Sequence, residues 1–149
     1  MDRRAKILSF SEALTRRKLQ QALDGRGCEI HPKMRMADAL QIDQSGLSTA
    51  EYTYALRAHF DFVISRRNKA LFAVEFDDDT HWKNSLVMQR DRVKESICEA
   101  LGMPLLRIDH PILTTQFGQF RVIAWLVDLW FDHETLQNLQ ASGYLPFQR

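Results

Sequence analysis

Apolar and polar residues alternate in two stretches near the middle of the chain, 59–64 and 71–77. A period of two is the pattern of strands that bury one face. Between them lies Ser65-Arg66-Arg67-Asn68-Lys69, a composition suited to an exposed turn, so the two stretches predict an antiparallel hairpin with Asp61 opposite Glu75. In that register Phe60, Phe62, Ile64, Phe72, Val74 and Phe76 share one face, while His59, Asp61, Val63, Ala73, Glu75 and Asp77 share the other. A slip of one residue would part Asp61 from Glu75 and scramble the apolar face.

Around the hairpin the period lengthens. Residues 11–23 read as a helix with Leu14, Leu19, Ala22 and Leu23 inward, ended by Asp24-Gly25-Arg26-Gly27. Residues 28–36 have extended character, with Ile30, Met34 and Met36 at alternate positions, and Pro32 places this strand at a sheet edge. Residues 37–50 predict a short helix followed by a loop around Ser45-Gly46. Residues 86–100 form an amphipathic helix, with Leu86, Val93, Ile97, Ala100 and Leu101 on its apolar stripe and Gly102 as its stop. The short strand at 104–109 completes a strand-helix-strand unit, which favours a parallel crossover. A last helix at 117–131 carries Phe120, Ile123, Trp125, Leu126, Val127, Leu129, Trp130 and Phe131, more apolar surface than one packing face needs. Core burial accounts for most of it, and the remainder suits another copy or a partner subunit.

The length of 149 residues fits one domain with a substantial core. No apolar segment is long enough to cross a bilayer, and the basic start Met1-Asp2-Arg3-Arg4-Ala5-Lys6 soon turns polar, so the expectation is a cytoplasmic protein without a secretory leader. Cys28 and Cys98 show neither zinc-ligand spacing nor a disulfide framework. With a net charge of +1, affinity for nucleic acid has to come from local runs: Arg16-Arg17-Lys18, the hairpin turn, and Arg90-Asp91-Arg92-Val93-Lys94. Each run is also what a solvated face looks like.

The acids of the hairpin change the picture. A buried ionised carboxylate is costly unless it is paired or binds a metal, and Asp61, Glu75 and Asp77 are written into otherwise apolar strands, with Asp78 and Asp79 following. A divalent cation is the economical partner. The alternative is a solvated acidic turn, with Asp61 paired to Arg57 or to a loop arginine.

Four ordered motifs carry a family resemblance: Asp61-Phe62-Val63; Glu75-Phe76-Asp77-Asp78-Asp79-Thr80-His81; Arg90-Asp91-Arg92-Val93-Lys94; and Gly102-Met103-Pro104-Leu105-Leu106-Arg107. Preceded by a helix bearing Glu12, they resemble the PD-(D/E)xK nuclease superfamily, and within it the small domains related to very-short-patch repair endonucleases. The match runs from about residue 12 to 108, leaving a helical extension at about 117–141. The resemblance implies a restriction-endonuclease-like three-layer α/β core, with a mixed sheet between helices, and a Mg²⁺- or Mn²⁺-dependent nuclease acting on DNA in repair or defence. The superfamily's usual lysine, two residues after the glutamate, is Asp77 here. In related groups that lysine sits on the following helix, where this chain has Lys94.

On this basis Asp61 and Glu75 are the expected principal metal ligands, the Phe76 carbonyl a third, and Asp77 and Glu12 direct or water-mediated supports. His81 is a candidate general base or phosphate contact, against a structural role beside Trp82. Lys94 is the candidate catalytic lysine, against a salt bridge to Asp91. Arg57, Arg90 and Lys94 are expected to hold backbone phosphates, and Arg107 to contact nucleic acid or a site carboxylate. The substitution at Asp77 sustains a second reading, a nucleic-acid-binding or scaffolding module that keeps the fold and turns over weakly or not at all. A third is an interaction module working through the aromatic last helix.

Overall fold

Ser9 opens the first helix: its hydroxyl accepts from the Glu12 backbone N–H at 3.2 Å, while the Glu12 carboxylate reaches back to the Ser9 N–H at 3.5 Å. This reciprocal capping box fixes the start of α1, Phe10–Ala22. The computed structural model describes residues 8–77, 85–109, 116–117 and 120–141. After α1 come β1 (Cys28–Arg35), α2 (Met36–Ala39), α3 (Thr49–Arg57), β2 (His59–Arg66), β3 (Lys69–Asp77), α4 (Ser85–Leu101) and β4 (Leu105–Asp109). A two-stranded ribbon, β5 (Gln116–Phe117) and β6 (Phe120–Arg121), leads into α5, Val122–Ala141.

The main sheet has the order β1-β2-β3-β4, antiparallel at its first two pairings and parallel at β3-β4. The expected edge position of the proline-bearing strand and the expected crossover through α4 are both present. The hairpin is tighter than its polar stretch implied. Arg66 pairs with Lys69, so only Arg67 and Asn68 turn the chain, at φ of 53° and 63°. Two consecutive left-handed residues give the twist that a two-residue hairpin requires.

Helices cover both faces of the sheet. On one, Leu19 and Leu23 from the first helix and its C-cap, with Ile123, Val127 and Phe131 from α5, bury Phe62, Ile64, Phe72, Val74 and Ile108. On the other, Met36, Ala55, Ile97 and Cys98 bury Val63 and Ala73. Phe60 belongs to this second cluster, contrary to strict alternation. The β2-β3 pairs begin at Phe62↔Val74, and one step outward the Phe76 N–H donates to the Asp61 carboxylate at 2.8 Å. β2 stays paired with β1 at Met34↔Phe60, and it is between this pair and Pro32↔Phe62, beside the left-handed Lys33, that the side-chain alternation breaks.

Two further differences have local causes. α3 falls where no helix is expected; Ser48 and Glu51 form a second capping box that starts it. The last helix starts at Val122, because the residues before it form the β5-β6 ribbon. Its apolar circumference is spent largely within the chain: Ile123, Val127 and Phe131 are buried, Trp130 stacks against Phe72 at 4.9 Å, and Leu129 is exposed. Among the described residues, no helix is long and apolar enough to cross a membrane.

Candidate functional site

The β2-β3 ladder ends at Phe62↔Val74, and one step beyond it Asp61 and Glu75 lie close enough to share a hydrogen bond, Glu75 reaching Lys94 of α4. Asp61 is held on two sides. One carboxylate oxygen takes the Phe76 N–H, and the other faces the Lys33 ammonium at 3.5 Å. Glu75 is the buried member, with 7% of its surface exposed. Burial pushes its carboxyl up to about 8; Lys94 pulls it back, and Asp61 raises it again by charge and by a shared hydrogen bond. Two carboxyl groups this close resist ionising together unless a cation joins them.

Lys94 projects from α4 and is almost enclosed. Its ammonium pairs with Glu75 and donates to the His59 carbonyl at 2.8 Å, with the Phe60 ring centroid 5.7 Å away. Lys94 therefore bridges the crossover helix to both acid-bearing strands. Asp91, its expected alternative partner, lies instead 3.9 Å from Arg107.

Glu12 is brought to the site indirectly. Its carboxylate serves the capping box of α1 and pairs with Lys33, which also faces Asp61. Burial alone would lower the Lys33 pKa, but the hydrogen bond it donates to Glu12 and the charges of Asp61 and Glu12 raise it overall. Sequence reasoning missed Lys33. Its role depends on a backbone feature with no sequence signature: in β1 it takes φ of 53°, between the pairs Pro32↔Phe62 and Met34↔Phe60.

The arginines sort into two settings. Arg57 and Arg90 are exposed and line one open cleft of about 600 Å³ with Ala50, Thr53, Tyr54 and Ala58. Tyr54, also missed, closes one wall; its hydroxyl donates to the Arg90 carbonyl at 3.2 Å, and burial, then the charge of Glu75, pushes its pKa up to about 12. The cleft and the acid pair are thus electrostatic neighbours. Arg107 stands beside Glu75 in the β3-β4 register, but its Nε donates to Glu95 of α4 at 2.8 Å, tying β4 to that helix.

Asp77 ends β3 opposite Asp109. Its side chain, like the whole of Asp78, Asp79 and His81, lies outside the described residues. Among the described residues, no group of three or more histidine, cysteine, aspartate or glutamate side chains is gathered as a metal centre. What is present is one pair of hard-oxygen donors, the Asp61 and Glu75 carboxylates. Such a set fits Mg²⁺ or Mn²⁺, ions that bind through one or two carboxylates and keep several waters.

A family model described as "Protein of unknown function (DUF2726)" matches residues 4–116, and the chain belongs to that family. No curated protein and no solved structure matches it. The family segment takes in Glu12, Lys33, Asp61, Glu75 and Lys94 and stops before α5.

Proposed function

We propose that this member of the family is a divalent-metal-dependent phosphodiesterase acting on DNA, built on a restriction-endonuclease-like core. The observation that carries the reading is the seat of Lys94. It comes from the crossover helix and reaches the Asp61–Glu75 pair, next to the strand on which Asp77 displaces the superfamily's usual lysine. Three groups spread over 34 residues of chain converge at one end of the sheet.

Asp61, Glu75 and the Phe76 carbonyl would hold the ion, with Asp77 alongside. When bound, Mg²⁺ or Mn²⁺ supplies Lewis-acid stabilisation of charge on the phosphoryl oxygens and lowers the pKa of an attacking water. The chain's own groups do the rest. The Phe76 N–H fixes the orientation of the Asp61 carboxylate. Lys94, anchored by the His59 carbonyl, keeps a positive charge beside Glu75, where it can donate to a phosphate oxygen. Arg57 and Arg90, on the rim of the neighbouring cleft, attract the backbone that the acids repel.

The test is incubation of the purified full chain with linear, nicked and single-stranded DNA, and with RNA, in Mn²⁺, Mg²⁺ or chelator. Cleavage that requires the metal and falls by about a hundredfold or more in Asp61→Asn and Glu75→Gln, with circular dichroism unchanged, is the expected result. DNA binding without metal-dependent cleavage would replace this reading with the binding or scaffolding module. Cleavage confined to RNA would overturn the choice of substrate.

A further inference from the structure

Arg57 and Arg90 are like charges drawn to one cleft. They come from different helices, α3 and α4, and line the same open space of about 600 Å³. Both are exposed, and among the described residues neither guanidinium has an ion pair or a hydrogen bond. The rest of the described wall, Ala50, Thr53, Tyr54 and Ala58, holds no acid. The carboxylates whose charge is felt at Tyr54 are Glu75 and Asp91, and each faces another cation, Lys94 and Arg107 respectively.

A single hydrogen bond sets the pair. Tyr54, one turn before Arg57 on α3, donates to the carbonyl of Arg90 itself, so the contact between the helices fixes the backbone from which both guanidiniums project. Arg57, in the last turn of α3, also suits the negative end of that helix. Arg90, in the N-terminal half of α4, gains nothing of the kind. Like charges gathered in one cleft are unfavourable until an anion joins them.

We propose that this cleft takes the terminal phosphate of a DNA strand, so that the protein works from strand ends and nicks rather than within intact duplex. This rests on the phosphodiesterase reading above and narrows its substrate. A terminal phosphate carries about 1.5–2 negative charges at neutral pH and three free oxygens, while each phosphate inside a strand carries about one charge and offers fewer free oxygens. Two guanidiniums, each a planar fork of donors, match the terminal group in charge and in acceptors. Tyr54 is the shared wall: it borders the cleft and feels the charge of Glu75, so a strand end seated there is delivered beside the acid pair.

The test uses the full-length protein and otherwise identical DNA oligonucleotides ending in 5′-phosphate, 3′-phosphate or hydroxyl. Fluorescence anisotropy in chelator reads affinity without turnover, and the same strands in Mn²⁺ read cleavage beside a closed circular duplex. The expected result is binding about tenfold tighter for one phosphorylated end than for the hydroxyl end, with cleavage favouring the same end and the circle left intact. Which end is preferred identifies the polarity. In Arg57→Gln and Arg90→Gln, whose thermal unfolding should be unchanged because both side chains are exposed, the preference should vanish. Equal handling of phosphate and hydroxyl ends, a circle cut as fast as the linear strands, or a preference that survives in both variants would overturn the inference, while metal-dependent cleavage in those same assays would leave the phosphodiesterase reading in place. End-selective binding with no cleavage in any metal would uphold the phosphate site and overturn that reading instead.

Discussion

Glu75 makes the metal-free protein less stable as the solution becomes more alkaline. Its folded carboxyl titrates at about 8, against a reference of 4.5, because it is buried beside Asp61. Below both values the folded and unfolded chains carry the same proton, and the residue contributes no pH dependence. Between them the unfolded chain has released the proton and the folded chain still holds it, so stability falls as pH rises and levels off above about 8. At about 1.4 kcal/mol per pH unit, the decline between pH 5 and pH 8 is about 3 kcal/mol. Urea denaturation in chelator, with a slope of roughly 1–3 kcal/mol per molar, turns this into a midpoint lower by about 1–3 M at the higher pH. Glu75→Gln removes the titrating group while keeping its shape, so its midpoint should lose that decline. Other titrating groups act on both proteins and cancel in the comparison. Saturating Mn²⁺ should restore the native chain at pH 8, by about 3 kcal/mol at a hundredfold excess over Kd, and leave the variant unaffected. Parallel pH curves for the two proteins would refute the reasoning.

Replacing Lys94 by alanine leaves Glu75 enclosed without its cation; stability at pH 8 should fall by roughly 1–3 kcal/mol, and cleavage should be lost even in saturating metal. Fluorescence anisotropy should show that Arg57→Ala and Arg90→Ala weaken DNA binding, each reducing the slope of log K against log salt by about 1, with no effect on Mn²⁺ affinity. Gly102 ends α4 in a left-handed turn, φ +72°, where the Met103 N–H bonds the Cys98 carbonyl at 2.8 Å. A Cβ there would meet nothing within 4 Å, so Gly102→Ala should cost about 1 kcal/mol in thermal unfolding, from backbone strain alone.

The hairpin was legible because two constraints agreed: period-two burial and a polar turn left one register, and the observed pairs Phe62↔Val74 and Ile64↔Phe72 are those of that register. Phe60 escaped this logic: it lies beyond the last β2-β3 pair and packs in the opposite layer from Phe62, a break in alternation the pattern does not show. α3 was available in principle: Ser48 and Glu51 have the spacing of a capping box, but Ala55 is its only buried residue, so it shows little apolar stripe. Lys33 was hidden for a deeper reason. A strand pattern places its side chain by parity, and a left-handed residue within the strand breaks parity. Lys94 was legible as a candidate by its helical position, but only tertiary packing chose Glu75 over Asp91 as its partner. The cleft of Arg57 and Arg90 joins α3 to α4, so it needed the helix that the pattern did not reveal.

The most direct measurement is the anomalous difference map of crystals soaked in Mn²⁺. The account predicts a peak bounded by Asp61, Glu75 and the Phe76 carbonyl, at oxygen distances of about 2.0–2.3 Å. Maps with no peak there, and Glu75 still paired only with Lys94, would contradict it.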